Sequence, residues 1–426
     1  MAGRPLRLVY TPPTWATAGS FPAGANPWNA QPMRVAPATG YFLPNTVPPA
    51  EYENYLHGAA LDGLATIETA FLAEFDFVSP IQAINWPALV TRTGGPGTER
   101  IMSAFWDAFN SRWIMLSGLT GGTTPKYINA SIDGGLSYTL LSTQSPTGGG
   151  YLLAGCADPG SNKSIICPSA STFFYVSTNG TSWAVSTVGG ASYTYTSALF
   201  FAGLFVAIGC ESGAAVAHVT TSPDTTTWTD RTAAIPAALA TLAGSATSWV
   251  SATNGSIIVA VPQQNAGFAS GATMTSTNGT TWTLGSFASG SILNADIVSG
   301  LAYSATDGLF IMTLQSAGTV TKILTSPNGT TWTYLRSVSG RFLTALAAIG
   351  SVWVAYSLKS GVAAEVLFSL NAGLTWAVAP LTMPTDANPP GGGIVAPGVA
   401  GSGTQFLIWN AVAAYASLKA GALPTF

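Results

Sequence analysis

A short polar turn sealed by an aromatic residue recurs six times along this chain. The copies are SIDGGLSY (131–138), STNGTSW (177–183), SPDTTTW (222–228), STNGTTW (276–282), SPNGTTW (326–332) and SLNAGLTW (369–376). Their key positions are Ser131, Asp133 and Tyr138, then Asn179 and Trp183, Asp224 and Trp228, Asn278 and Trp282, Asn328 and Trp332, and Asn371 and Trp376. Each residue type has a local reason. Asp or Asn bonds its own backbone two residues on and tolerates a left-handed conformation. Gly supplies positive φ. Ser and Thr hydroxyls satisfy the remaining turn amides, and the aromatic side chain starts the next strand and packs back over the turn. Asn-Gly between alternating apolar runs is a strong hairpin signal. The motif therefore predicts a staple between two consecutive strands.

The aromatic positions lie 45, 45, 54, 50 and 44 residues apart. Periods in the forties predict four-stranded blades of a β-propeller. An apolar pair of strands precedes each turn, as in "ALFFAGLFVAIG" (198–209) and "LAYSATDGLFIMTLQ" (301–315), and "GVAGSGTQFLIWNA" (398–411) makes a seventh pair. The seventh turn, at 417–424, has lost its Asp/Asn and its aromatic residue. The strand that should follow it stands at the other end of the chain, in "AINWPALVTRT" (83–93) around Trp86. The expectation is an all-β, seven-bladed propeller over residues 81–426, closed by the Trp86 strand, with six or eight blades as the alternatives. Closure would leave no unpaired inner edge.

The turns resemble the Asp-box repeat, S-x-D-x-G-x-T-W. The copies at 131–138 and 369–376 match its spacing, and the other four are one residue shorter. This resemblance implies propeller architecture. It does not imply an activity, because the same turn occurs in sialidases, other glycoside hydrolases, sorting receptors and non-enzymatic virion proteins.

Residues 1–47 are rich in Pro and Gly and lack helical or strand periodicity. They read as an extended arm that orders along a partner. Trp15 and Trp28 in this arm are candidate anchors. Pro48, Pro49 and Glu51 open a predicted α-helix over 48–80, whose apolar stripe includes Tyr52, Tyr55 and Leu56. Gly40, Pro44, Thr46, Pro48, Pro49, Ala50, Asn54, Tyr55 and Leu56 fit a segment that resembles the N-terminal region of tailed-bacteriophage fibre and other virion proteins. That resemblance implies an N-terminus attached to the particle or to sister subunits, with a homo-oligomer (a trimer first). It places the chain in a virion built in the host cytoplasm. The distal propeller would meet a host-surface glycan or protein.

Composition narrows the remaining classes. Charged residues make up 7% of the chain and net charge is −3, against about 25% charge in an average protein. No Lys/Arg cluster could neutralise several phosphates, so nucleic acid is not expected as a partner. No apolar run reaches membrane-spanning length, so no membrane insertion is expected, and no secretion signal is seen. Cys156, Cys167 and Cys210 have neither disulfide nor zinc spacing and read as buried thiols. No cofactor or metal motif is present in the sequence.

A glycosidase or depolymerase is the alternative function, and a non-viral glycan-binding propeller is a third. Hydrolysis needs two carboxyl groups flanking the bond. The candidates outside the turns are Glu99, Asp107, Glu211, Asp230, Asp296, Asp307 and Glu365. Glu211, beside a thiol at a strand end, stands out, and Asp307 reads as part of a hairpin turn. A sialidase would need three arginines on one carboxylate. Arg92, Arg100, Arg112, Arg231, Arg336 and Arg341 lack the signature sequence that accompanies them in that family. The sequence is read as non-enzymatic.

Overall fold

The computed structural model describes residues 100–118, 125–135, 137–144, 151–190, 192–211, 216–240, 248–263, 273–287, 296–316, 319–358, 364–382, 398–409 and 414–416. The predicted arm, the predicted helix and the Trp86 segment lie outside these residues. The chain divides into two compact units, 1–82 with 424–426, and 83–423. Every described residue belongs to the second unit.

That unit is an all-β propeller. Its strands form seven antiparallel sheets, each built in chain order from an inner to an outer strand. The inner strands are Arg100–Asp107, Leu152–Ala157, Tyr193–Phe201, Ser248–Thr253, Ile297–Ser304, Phe342–Ile349 and Gly398–Gly401. Each inner strand lies against the next, and the last lies against the first. Six sheets have four or five strands, and the seventh has three among the described residues. The expected seven full blades are thus corrected to six complete ones and a three-stranded sheet. The fourth strand assigned to the seventh falls outside the described residues.

Two irregular spacings have structural causes. Between the third and fourth blades the chain inserts a 3-10 turn (Thr232–Ala234) and a single helical turn (Ala237–Ala240). Their Ile235 and Leu239 fill the seam between those blades. After the fourth blade, Ser286–Phe287 pairs in parallel with Thr331 and Trp332, adding a fifth strand to the outer edge of the fifth blade.

Burial explains the apolar runs. The second strand of a blade is covered on both faces by neighbouring blades, so it reads as continuous rather than alternating hydrophobicity. Arg112–Gly118 is buried at every position, and Ile258–Pro262 likewise. Outer strands such as Thr139–Gln144 are largely exposed. The core is accordingly distributed over the seams between blades rather than gathered at one centre.

The polar turns form as the sequence predicts and reach further. In the fifth blade, Asn328 accepts bonds from the Thr330 and Thr331 amides at 3.0 Å each, and the Gly329 amide donates to Ser326 Oγ at 2.8 Å. The same bonds recur at Asn179, Asp224 and Asn278, and in the longer turns at Asp133 and Asn371. The aromatic residue does more than seal its own hairpin. Trp183, Trp228, Trp282, Trp332 and Trp376 each pack into the seam with the preceding blade, and Tyr138 packs into the seam with the seventh sheet. The repeat is therefore a key between blades as well as a staple within one.

Candidate functional site

The inner strands of all seven sheets enclose an axial cavity of about 530 Å³. Small-molecule sites commonly span about 300–1,000 Å³. Inner strands crowd towards a common axis, so their side chains there are small. Ser103, Ala154, Ser197, Gly300, Ala345 and Ala400 all line the cavity.

Five inner strands carry a β-bulge at this level. The extra residues are Met102, Leu153, Thr196, Ser299 and Thr344. All five line the cavity. A bulge raises local twist and redirects a side chain, which lets a strand turn its residues towards the axis. Nothing in the spacing of the turns announces these bulges. The one sequence signal is a small residue directly after each of them: Ser103, Ala154, Ser197, Gly300 and Ala345.

Many of the wall hydroxyls tie neighbouring blades together. Thr196 Oγ1 accepts from the Trp249 amide at 2.6 Å, and Ser197 and Ser251 share a hydrogen bond of 2.5 Å. Ser299 Oγ donates to the Leu343 carbonyl at 2.5 Å. Ser248 Oγ donates to Gln263 Oε1 at 2.6 Å. No charged side chain lines the cavity. Its remaining character comes from indoles, because Trp106, Trp249 and Trp409 also line it.

The carboxylates considered for hydrolysis are dispersed. None of Asp107, Glu211, Asp230, Asp296, Asp307 and Glu365 lines the cavity, and Glu99 lies outside the described residues. Asp107 pairs with Arg112 at 2.9 Å, Asp296 with Lys322 at 2.8 Å and Glu365 with Arg341 at 2.7 Å. Asp307 accepts the Trp353 indole N–H at 2.6 Å. The arginines are equally scattered. Arg231 reaches Thr221 Oγ1, and Arg336 donates to the Leu374 carbonyl in the next blade's turn.

Glu211 ends the second strand of the third blade, opposite Tyr193. Its neighbour Cys210 is no nucleophile. Burial pushes that thiol up to about 11, even though the Trp249 indole donates to its sulfur at 3.2 Å. Burial also raises Cys156 and Cys167. Beside Glu211, the His218 ring stacks on Tyr193 with centroids 3.7 Å apart. Its Nδ1 meets the Tyr195 hydroxyl at 2.8 Å, and its Nε2 faces Asp230 at 3.4 Å. Burial lowers the imidazole pKa, opposed by Asp230 and Glu211. Tyr195 is 1% exposed, so the cluster offers a substrate no access to that hydroxyl. Among the described residues, no group of three His, Cys, Asp or Glu could hold a metal ion. Trp15, Trp28, Tyr52, Tyr55, Leu56 and Trp86 lie outside the described residues.

No protein-family model matches the chain, and no curated protein matches it. Solved structures do. A structure of YCF48 bound to D1 peptide is 14% identical, with a TM-score of 0.52, over 79% of this chain and 98% of that one. The extracellular domain of the one-component system BT4673 from B. thetaiotaomicron is 8% identical, with a TM-score of 0.52, over 78% of this chain and 40% of that one. The GH74 enzyme of Niastella koreensis is 16% identical, with a TM-score of 0.48, over 76% of this chain and 43% of that one. At such identities the likeness is one of fold, and the fold is a β-propeller.

Proposed function

We propose that this chain is a structural appendage protein of a tailed-bacteriophage particle. Residues 1–80 attach it to other virion proteins or to sister subunits in a homo-oligomer. The propeller stands outward and recognises a host-surface molecule at its axial cavity, without making or breaking a bond. Its turns are Asp-boxes, and the Trp86 strand completes the seventh sheet.

The observation that carries the non-catalytic part is the composition of the cavity wall: hydroxyls, glycines, alanines and indoles, with no charge. A glycosidase places two carboxyl groups about 5–9.5 Å apart around the bond it cleaves, and the described carboxylates are engaged elsewhere. The virion part is supported by the fibre-like segment at 40–56 and by the charge-poor composition. Gold-labelled antibody against the propeller tests that part on purified particles. Labelling at the distal end of a tail appendage is expected. Unlabelled particles, with the protein found only in the host cell, would refute it.

A further inference from the structure

The cavity is not uniform around the axis. On most sides its polar groups are spent on ties between blades, and Trp249 gives its indole N–H to Cys210. The side formed by the first and seventh sheets differs. There the wall is Ala104, Gly398, Ala400 and Gly401, with the indoles of Trp106 and Trp409 beside them.

Trp409 stands opposite Gly398 in the strand pairing. A Cβ on Gly398 would lie 2.0 Å from the indole ring. Only glycine at this position leaves the Trp409 ring in place at the cavity wall. Trp409 is 6% exposed, and its Nε1–H has no hydrogen-bond partner. Two more unpaired polar atoms, Trp113 Nε1 and Tyr138 Oη, lie in the same cluster. Buried donors are nearly always satisfied, and an orphan calls for a physical reason. Trp106, partly exposed, is braced edge-on against Trp113 with centroids 5.2 Å apart.

The geometry points to a saccharide subsite between the first and seventh sheets. A neutral sugar ring lies with its C–H face on Trp106, and one of its oxygens accepts the Trp409 Nε1–H. A charged ligand, including a peptide terminus, would enter a wall that offers no counter-charge, at a desolvation cost. A neutral polyol carries both an apolar face and hydrogen-bonding edges. The inference rests on the recognition role proposed above and names the ligand class for that same cavity.

The test is calorimetric titration of the full-length protein with maltotriose, chitotriose, the anionic 3′-sialyllactose, and a capped, uncharged Ser-Gly hexapeptide. Binding of at least one neutral trisaccharide is expected. It should weaken about tenfold in Trp409→Phe, which keeps the ring and removes the donor, a loss of about 1.4 kcal/mol. In Trp106→Ala it should fall below detection. If Trp409→Phe impairs folding, the partly exposed Trp106 position decides. The inference is overturned if no neutral trisaccharide binds, if both variants bind as the parent does, or if only the sialylated sugar or the peptide binds. Labelled particles with no sugar binding would sink the subsite alone, whereas unlabelled particles would sink the virion reading whatever the titration shows.

Discussion

Trp353, fully buried in the sixth blade, donates its indole N–H to the carboxylate of Asp307 in the fifth, at 2.6 Å. The bond spans the seam beside a second tie, Ser304 Oγ to the Gly350 carbonyl at 2.6 Å. Asp307 thereby belongs to the architecture. Asp307→Ala leaves a buried indole N–H without a partner and should cost about 1–3 kcal/mol. Asp307→Asn keeps an acceptor and should cost less. Urea denaturation measures both, and an Asp307→Ala variant within 0.5 kcal/mol of the parent (a change within ordinary surface scatter) would refute the tie.

The turn of the third blade carries a defect that can be repaired. Thr225 has a φ of 74°, where the other three short turns have Gly180, Gly279 and Gly329 at 73°, 74° and 71°. A β-branched residue is strained there, and the Thr225 hydroxyl is buried without a partner. Thr225→Gly should stabilise the protein by about 1 kcal/mol, after the entropic cost of glycine. Unfolding in urea reads the gain, and a lower midpoint would contradict the assignment.

The reverse exchange in the fifth blade should be costly. A Cβ on Gly329 would lie 2.3 Å from Val259 in the preceding blade. Gly329→Ala combines left-handed strain with overpacking of a seam and should destabilise by about 2–4 kcal/mol. Thermal melting followed by circular dichroism checks this. An unchanged midpoint would mean that the turn does not key one blade to the last.

Acid sensitivity follows from the same turns. The Thr227 and Thr226 amides and the Thr227 hydroxyl hold the Asp224 carboxyl well below the usual carboxylate range. At Asp133 burial pushes upward, and the bonds from Ser137 and Ser131 outweigh it. A carboxylate whose folded pKa is depressed contributes stability that is complete above its unfolded value of about 3.9 and is lost as pH falls towards the folded value. His218, lowered by burial, has the same sign of effect from about pH 6.5 downwards. The melting temperature should be level above about pH 7, decline gently below it, and drop steeply under about pH 4. Asn occupies the Asp224 place in four of the six turns. Asp224→Asn should therefore fold normally at neutral pH and blunt the steep phase. An unaltered acid profile in that variant would refute the role of Asp224.

The turns and the order of the sheets were legible because their causes are local. Asn328, Gly329 and Trp332 declare a hairpin within seven residues. The seams were not legible. That Trp332 faces the fourth blade, or that Trp353 needs Asp307, depends on packing between residues far apart in sequence. The parallel strand at Ser286–Phe287 is two residues long, too short to show a period. The bulges at Ser299 and Thr344 depend on cross-strand register, which no single strand records. Glu211 looked reactive beside Cys210 because sequence shows adjacency and not burial. Trp409 looked like core, and it is buried, but only the strand pairing places it across from Gly398 and so at the cavity wall.

The central claim is a closed ring in which each sheet is held by the one before it. Comparing chains that start at residue 83 and at residue 100 tests it most directly, by urea denaturation against the full-length protein. The chain from 83 keeps the Trp86 strand and should unfold in one cooperative transition near that of the parent propeller. The chain from 100 leaves the seventh sheet without its last strand and should lose several kcal/mol, as a seam loses buried apolar area. Equal stability of the two truncated chains would contradict the closure.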